Sequence, residues 1–256
     1  MERYQVILAY DGTHFSGFQR QARSRTVQEV VEAALRRLGW QGKSLLTAGR
    51  TDAGVHASGQ VIAFDLAWEH SPEKLQGALN SLLPFDVAAR EVKVVPPKHH
   101  PRYDAVSRRY HYSLYCEILR DPLRDRYAWQ VWPPVELSTL RHAAAYFLGR
   151  HDFAAFGTPP RPQGTTMRTV FEADWHAEGS NLVFVITADA FLYHMVRRIV
   201  HLQVAIGQGK QGMEMIPESL QPRAGTSLVK GLAPAHGLVL VEVLYPAEAI
   251  GERPKG

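Results

Sequence analysis

The segment Pro96-Pro97-Lys98-His99-His100-Pro101, followed by Ser107-Arg108-Arg109-Tyr110-His111-Tyr112-Ser113-Leu114-Tyr115, organises the whole chain. Proline fixes φ and lacks an amide hydrogen, so the Pro96–Pro101 stretch interrupts any regular element. The run after it alternates, placing Tyr110, Tyr112 and Leu114 on one side of a strand. The chain is therefore expected to divide here, into residues 1–103 and residues 104–256.

Before the break, Arg3–Tyr10 reads as a strand closed by the turn pair Asp11-Gly12. Thr26-Val27-Gln28-Glu29 forms a capping box, and Val27, Val30, Val31, Ala34, Leu35 and Leu38 follow helical spacing up to Gly39. A strand is expected before Ala48 and another near Gly59–Leu66. Ser71-Pro72 opens a helix through about Leu83, and a strand covers Val87–Val95. Beyond the break, a helix is expected over Ser138–Leu148 with Gly149 as its cap. Strands follow at Arg168–Ala177 and Leu182–Ala188, then a helix over Leu192–Ile206 and a last strand over Gly237–Tyr245. Each half mixes strands joined partly by hairpins with helices able to cover a sheet face, which predicts an α+β fold with a mostly antiparallel sheet.

Composition narrows the function classes. The chain has 256 residues, 45% of them apolar and 21% charged, the balance of an ordinary globular protein. Cys116 is the single cysteine, so no intrachain disulfide can form, which suits a reducing compartment. The opening MERYQVILAYDG has too short an apolar run for a signal peptide, and no stretch approaches the ~18 apolar residues of a membrane span. A soluble, cytoplasmic chain is expected. Net charge is only +4, yet the isoelectric point is about 9.2 and 22 of the 29 basic residues are arginine. Arginine's planar fork suits phosphate oxygens and stacks on bases, so this composition leans towards nucleic acid.

Several signals imitate chemistry. Gly207-Gln208-Gly209-Lys210-Gln211-Gly212 matches a dinucleotide fingerprint by letter, but a helix precedes it where a strand is required. A helix-ending loop accounts for it better. Gly42-Lys43-Ser44 resembles the end of a phosphate-binding loop, but Arg37 stands where its first glycine belongs. The twelve histidines include no closely spaced metal-ligand set, so no metal and no cofactor is expected.

Ala48-Gly49-Arg50-Thr51-Asp52-Ala53-Gly54-Val55-His56-Ala57 is the most unusual segment. It puts an arginine, a threonine and an aspartate into a glycine-bounded loop between two strands. Chemistry alone leaves two readings open: a functional carboxylate, or an Asx-type turn in which Asp52 binds backbone amides. This segment resembles the active-site signature of the TruA-type tRNA pseudouridine synthase family. The resemblance continues through Tyr10-Asp11-Gly12-Thr13, Gly17-Phe18-Gln19, Thr26-Val27-Gln28, Ala78-Leu79-Asn80, Leu83-Pro84 and Ser107–Tyr112. It extends to His151-Asp152-Phe153, Ala190–Arg197, Ala233-Pro234 and Gly237-Leu238. Phe18 stands where the family usually has tryptophan, Pro101 where it has alanine, and His201 where it tends to have glycine. Asp189 replaces a commoner asparagine or small residue.

The resemblance implies isomerisation of uridine to pseudouridine in the anticodon stem-loop of tRNA, around positions 38 to 40. It further implies a homodimer, and two α+β halves joined into an extended sheet with helices on one face and a central cleft. Residue by residue, it makes Asp52 the nucleophile and Arg197 the cation that keeps it ionised. Arg50 becomes the side chain that fills the space of a flipped nucleotide, and Tyr110 the ring that stacks the uracil. Leu238 or Leu240 would supply an apolar wall. Arg20, Arg23, Arg25, Arg108 and Arg109, with Arg120, Arg124 and Arg126, are basic groups expected to hold RNA phosphates. Two other classes compete: a non-catalytic RNA-binding protein on the same frame, and a nucleosidase, although glycosidases ordinarily use paired carboxylates and this motif holds one.

Overall fold

The computed structural model describes residues 1–161, 163–221 and 228–251. Its contacts divide the chain into two compact units. One comprises Met1–Ser107 together with the described residues from Leu240 onward, and the other Arg108–Val239. The division thus falls a few residues after the proline segment, and the last strand packs mostly with the first unit.

The first unit contains β1 (Glu2–Tyr10), α1 (Val27–Arg37), β2 (Leu46–Thr47), β3 (His56–Leu66), α2 (Pro72–Leu82) and β4 (Val87–Val95). The second contains β5 (Ser107–Tyr115), β6 (Trp129–Gln130), α3 (Leu137–Ala145), β7 (Gly149–Asp152), β8 (Met167–Glu178) and β9 (Asn181–Ala188). It also holds α4 (Met195–Gly207) and α5 (Met215–Ser219), after which β10 (Leu238–Leu244) returns to the first unit. The fold is α+β, as expected, and the pairs among β1 to β9 are antiparallel except for β5 with β6.

In the first unit β1 lies between β4 and β3, pairing Val6 with Val92 on one side and Ile62 on the other. Tyr4, Val6, Leu8 and Tyr10 alternate into the core, the period-two pattern of a strand with one buried face. The β1–β3 register slips between Leu8 and Tyr10, a bulge that re-aims Tyr10 towards the loop before β3. α1 begins at Thr26, whose hydroxyl accepts from the Glu29 amide, and α2 begins at Ser71, which caps Lys74 in the same way. α2 packs on β4 through Leu75 and Leu79, and the Asn80 side chain bonds both the amide and the carbonyl of Ala89.

In the second unit the order is β5-β9-β8-β7, with α3 against β8 and α4 against α3. Trp175 and Phe184, both fully buried, stack at 5.1 Å across β8 and β9. The Trp175 indole N–H donates to Gln203 on α4 at 2.7 Å, satisfying both buried polar groups.

Three boundaries differ from expectation. α3 stops at Ala145 rather than Leu148, because Phe147 turns inward to pack with Phe153 and Phe156. Gly149 is therefore no helix cap; it opens β7 with φ +94°. α4 starts at Met195 rather than Leu192, since Tyr193 bridges Thr158 and His194 takes a left-handed conformation at φ +66°. β3 begins at His56, earlier than Gly59. The short β6, β7 and α5 carry too little periodicity to be seen in sequence. The Gly207–Gly212 segment does end a helix, with Gly209 at φ +69°. No helix among the described residues is long and apolar enough to cross a membrane.

Candidate active site

The signature segment between β2 and β3 is irregular, yet tied down at nearly every residue. The Ala48 amide donates to Val61, and the Gly49 carbonyl accepts from both Thr47 Oγ1 (2.7 Å) and Gln60 Nε2 (3.2 Å). The Thr51 hydroxyl is within 2.8 Å of the Tyr10 hydroxyl, and the Thr51 carbonyl accepts from the Phe18 amide. Burial raises the Tyr10 phenol to about 12, so it stays protonated and able to hydrogen-bond Thr51.

Asp52 heads a tight turn. The Val55 amide donates back to the Asp52 carbonyl at 3.2 Å, and Gly54 at the third position has φ +76°. That combination is a type II turn, which requires glycine at that position and so explains the order Asp-Ala-Gly. The Gly54 amide is held by the Phe15 carbonyl, so the turn is fixed from both ends. Asp52 is half-buried rather than fully enclosed.

The segment after β1 forms the other half of the clamp. Gly12 presses so closely on the turn that a Cβ there would lie 2.1 Å from the Val55 carbonyl oxygen. Its amide donates to His56 Nδ1 at 3.0 Å. The same Nδ1 lies 3.2 Å from the Asp11 carboxylate. Tyr10, Gly12, His56 and Gln60 position the loop without being candidates in sequence. Their signal was available only as the Tyr10–Thr13 block of the family resemblance.

Arg50 lies two residues before Asp52 on non-strand backbone. Arg50 is exposed and has no partner among the described residues, while the intervening Thr51 is buried. Of the basic groups in this unit, Arg20 is bound to buried Glu32 at 2.6 Å and Arg25 to Asp86 through two bonds of 2.7 and 2.9 Å. Arg23, between them, is exposed and has no partner among the described residues.

In the second unit Tyr110 sits on β5 opposite Ile186, 9% exposed, its ring in a T-shaped contact with that of Phe191 at 5.0 Å. Tyr112, on the same side of the strand, is fully buried, and its hydroxyl donates to the Pro234 carbonyl at 2.9 Å. Sequence alone did not separate these two tyrosines; the structure gives Tyr112 a structural bond. Arg197 is half-buried in the first turn of α4, and its Nε donates to the Ala233 carbonyl at 2.7 Å. The Ala233 amide returns a bond to the Arg197 carbonyl, so the guanidinium stem is locked to the segment before β10. Arg108 donates to the Asp189 carbonyl, and Arg109 reaches Thr187 and Glu172. Arg124 pairs with Glu117 and lies over Tyr115, while Arg120 pairs with Asp125. Asp189 spends its carboxylate on the Thr169 and Ala190 amides. Leu238 and Leu240 are both buried on β10. Among the described residues, no group of three or more His, Cys, Asp or Glu side chains is arranged to hold a metal ion.

The chain is similar to known proteins over nearly all its length. A sequence model of the tRNA pseudouridine synthase family matches residues 6–104 and 143–246. The match leaves out residues 105–142, and with them the whole of β5 and Tyr110. A protein of Lactiplantibacillus plantarum named tRNA pseudouridine synthase A is 37% identical over 95% of this chain and 94% of its own. One of Geobacter sp., with the same name, is also 37% identical, over 96% of this chain and 100% of its own. Agreement of that extent, running through both units and including the loop that carries Asp52, means that this chain belongs to the tRNA pseudouridine synthase family.

Proposed function

We propose that the protein isomerises uridine to pseudouridine in the anticodon stem-loop of tRNA, around positions 38 to 40, with Asp52 as the nucleophile. Family membership supplies the coarse activity, an isomerase acting on uridine in tRNA. One observation carries the residue-level reading: a half-buried carboxylate stands on a type II turn whose backbone is pinned at both ends. An ordinary surface turn needs no such clamp, whereas an attacking carboxylate must be held in register with one atom of its substrate.

The reaction breaks the C1′–N1 bond, turns the detached uracil and forms a C1′–C5 bond; C5 loses a proton and N1 gains one. Nothing is oxidised or reduced, and no group donor enters, so the reading calls for no cofactor. A carboxylate can attack carbon to give a covalent intermediate. Attack at C1′, attack at C6 and removal of the C2′ proton all remain compatible with a carboxylate in this role. Arg197 is assigned the positive charge that keeps Asp52 ionised, a role that rests on the family likeness. Arg50, exposed and without a partner among the described residues, can enter a helix and bond the bases on either side of the vacated position. Flipping costs a few kcal/mol, which such contacts offset. Tyr110 offers a ring face to the uracil and a hydroxyl near C5. The chain's working form under this reading is a cytoplasmic homodimer, and equilibrium sedimentation giving only monomer would count against that part.

The deciding experiment uses tRNA labelled with tritium at uracil C5. The parent protein releases label without freeing uracil, while Asp52→Ala releases at least about a thousandfold less and still binds tRNA. Near-normal turnover in that variant would refute the nucleophile assignment. Binding without release by the parent would mean a non-catalytic RNA-binding protein, and free uracil would mean a nucleosidase. Arg197→Met should slow tritium release at saturating tRNA while tRNA binding persists.

A further inference from the structure

Phe85 is 93% exposed, the most exposed large apolar side chain among the described residues, ahead even of Met1 at 91%. Lone surface apolar residues are common. This one differs in how it is mounted. It lies in the turn Leu83-Pro84-Phe85-Asp86, where the Val87 amide closes back on the Pro84 carbonyl at 3.0 Å. The next residue, Asp86, is buried; its carboxylate receives both terminal nitrogens of Arg25, and its carbonyl accepts from the Asp11 amide at 3.0 Å. Arg25 in turn lies over the Phe15 ring at 4.0 Å, and its carbonyl accepts from the Ser16 amide. The ring of Phe85 therefore projects into solvent from a rigid base made of the same residues, 11 to 16, that clamp the Asp52 turn. Beside Arg25 the chain makes a second tight turn, closed by a bridge between Gln21 and Ser24, which presents Arg23 without a partner among the described residues.

A solvent-facing aromatic on a held backbone, next to arginines that remain partly exposed, is the arrangement that stacks an unpaired base while holding its phosphate. We infer that Phe85 is a stacking platform for an unpaired base of the RNA substrate, with Arg23 and Arg25 contacting the adjoining backbone. The inference rests on the proposed RNA substrate, because it names a further contact to that same molecule. Since the backbone that carries the ring is already held, stacking requires no loop ordering and costs only the side-chain freedom of Phe85.

The test measures tRNA binding and turnover for the parent, Phe85→Ala, Phe85→Trp and Arg23→Ala. Phe85→Ala should raise Kd about fivefold or more, with little dependence on salt and with kcat at saturating RNA unchanged. Phe85→Trp should restore the affinity. Arg23→Ala should instead lower the slope of log Kd against log salt by about one. Anticodon stem-loops carrying 5-iodouridine at single loop positions should crosslink on irradiation to the peptide containing Phe85. A Kd for Phe85→Ala within twofold of the parent, or crosslinks that avoid this turn, overturns the inference. Tritium release by the parent distinguishes that outcome from failure of the functional reading, because release requires the reaction but not Phe85.

Discussion

Asp52 stands on irregular backbone held by bonds from residues far away in sequence: Tyr10, 41 positions off, and Gly12, which bonds a residue 44 positions on. Tyr110 and Arg197 stand instead on a regular strand and in the first turn of a helix, where ladder bonds and helical periodicity set their direction. The first arrangement places one atom precisely but fails if any clamp is lost. The second tolerates local change, because neighbouring residues of the same element keep the backbone in place. Positions on loops are thus fixed by tertiary contacts, and positions on elements by local pattern.

Tyr110 and Tyr112 of β5 give the largest expected effect. Tyr110→Phe keeps the ring and removes the hydroxyl; if that hydroxyl handles the C5 proton, kcat should fall about a hundredfold or more, with tRNA affinity retained. Tyr112→Phe removes only the bond to Pro234, so it should cost about 1 kcal/mol in denaturant unfolding and leave turnover alone. Equal effects on turnover would erase the distinction between them. On the loop side, Gly12→Ala drives a Cβ into the Val55 carbonyl, so the turn must move. We expect about 1–3 kcal/mol of lost stability and a loss in kcat of about a hundredfold, since a displacement near 1 Å suffices for that. A stable, fully active Gly12→Ala would show that the clamp is not what places Asp52.

Tyr10→Phe tests the same clamp more gently. Loss of its bond to Thr51 should cost about 1 kcal/mol, with kcat falling more than KM changes. The smallest effect is common to both units. Burial holds His99 in the first unit, and His111, His201 and His236 in the second, below the ordinary value of 6.5. The unfolded chain therefore takes up these protons first as the pH falls. Stability from these groups is complete above about pH 6.5 and declines below it, towards their lower folded-state values. Tm should accordingly drop between about pH 7.5 and pH 5.5; a rise would contradict their burial as neutral rings.

Most elements were legible before any coordinates, for reasons that can be named. β4 and β5 match their expected bounds: Pro84 and Pro96 flank β4, and Tyr110, Tyr112 and Leu114 alternate into the buried face of β5. α1 was announced by Thr26 and Glu29 together with its apolar stripe. The misreadings fall where long-range packing outweighed propensity, as when the Phe147–Phe153–Phe156 cluster cut α3 short. The same holds for the site. Asp52, Arg50, Tyr110 and Arg197 stood out through a family resemblance, but nothing in their spacing announced the Tyr10, Gly12 and Gln60 bonds around the loop. Phe85 reads in sequence as an unremarkable turn residue.

The amino-acid order by itself settled the α+β class, the helix caps and the glycine that lets the Asp52 turn close, because these depend on interactions within a few residues. Only the folded chain decided that the Tyr112 hydroxyl bonds the Pro234 carbonyl, which arginines of the 20–25 turn are already paired, and how the signature loop is pinned. Those outcomes depend on groups distant in sequence meeting in space, and no local pattern encodes such a meeting.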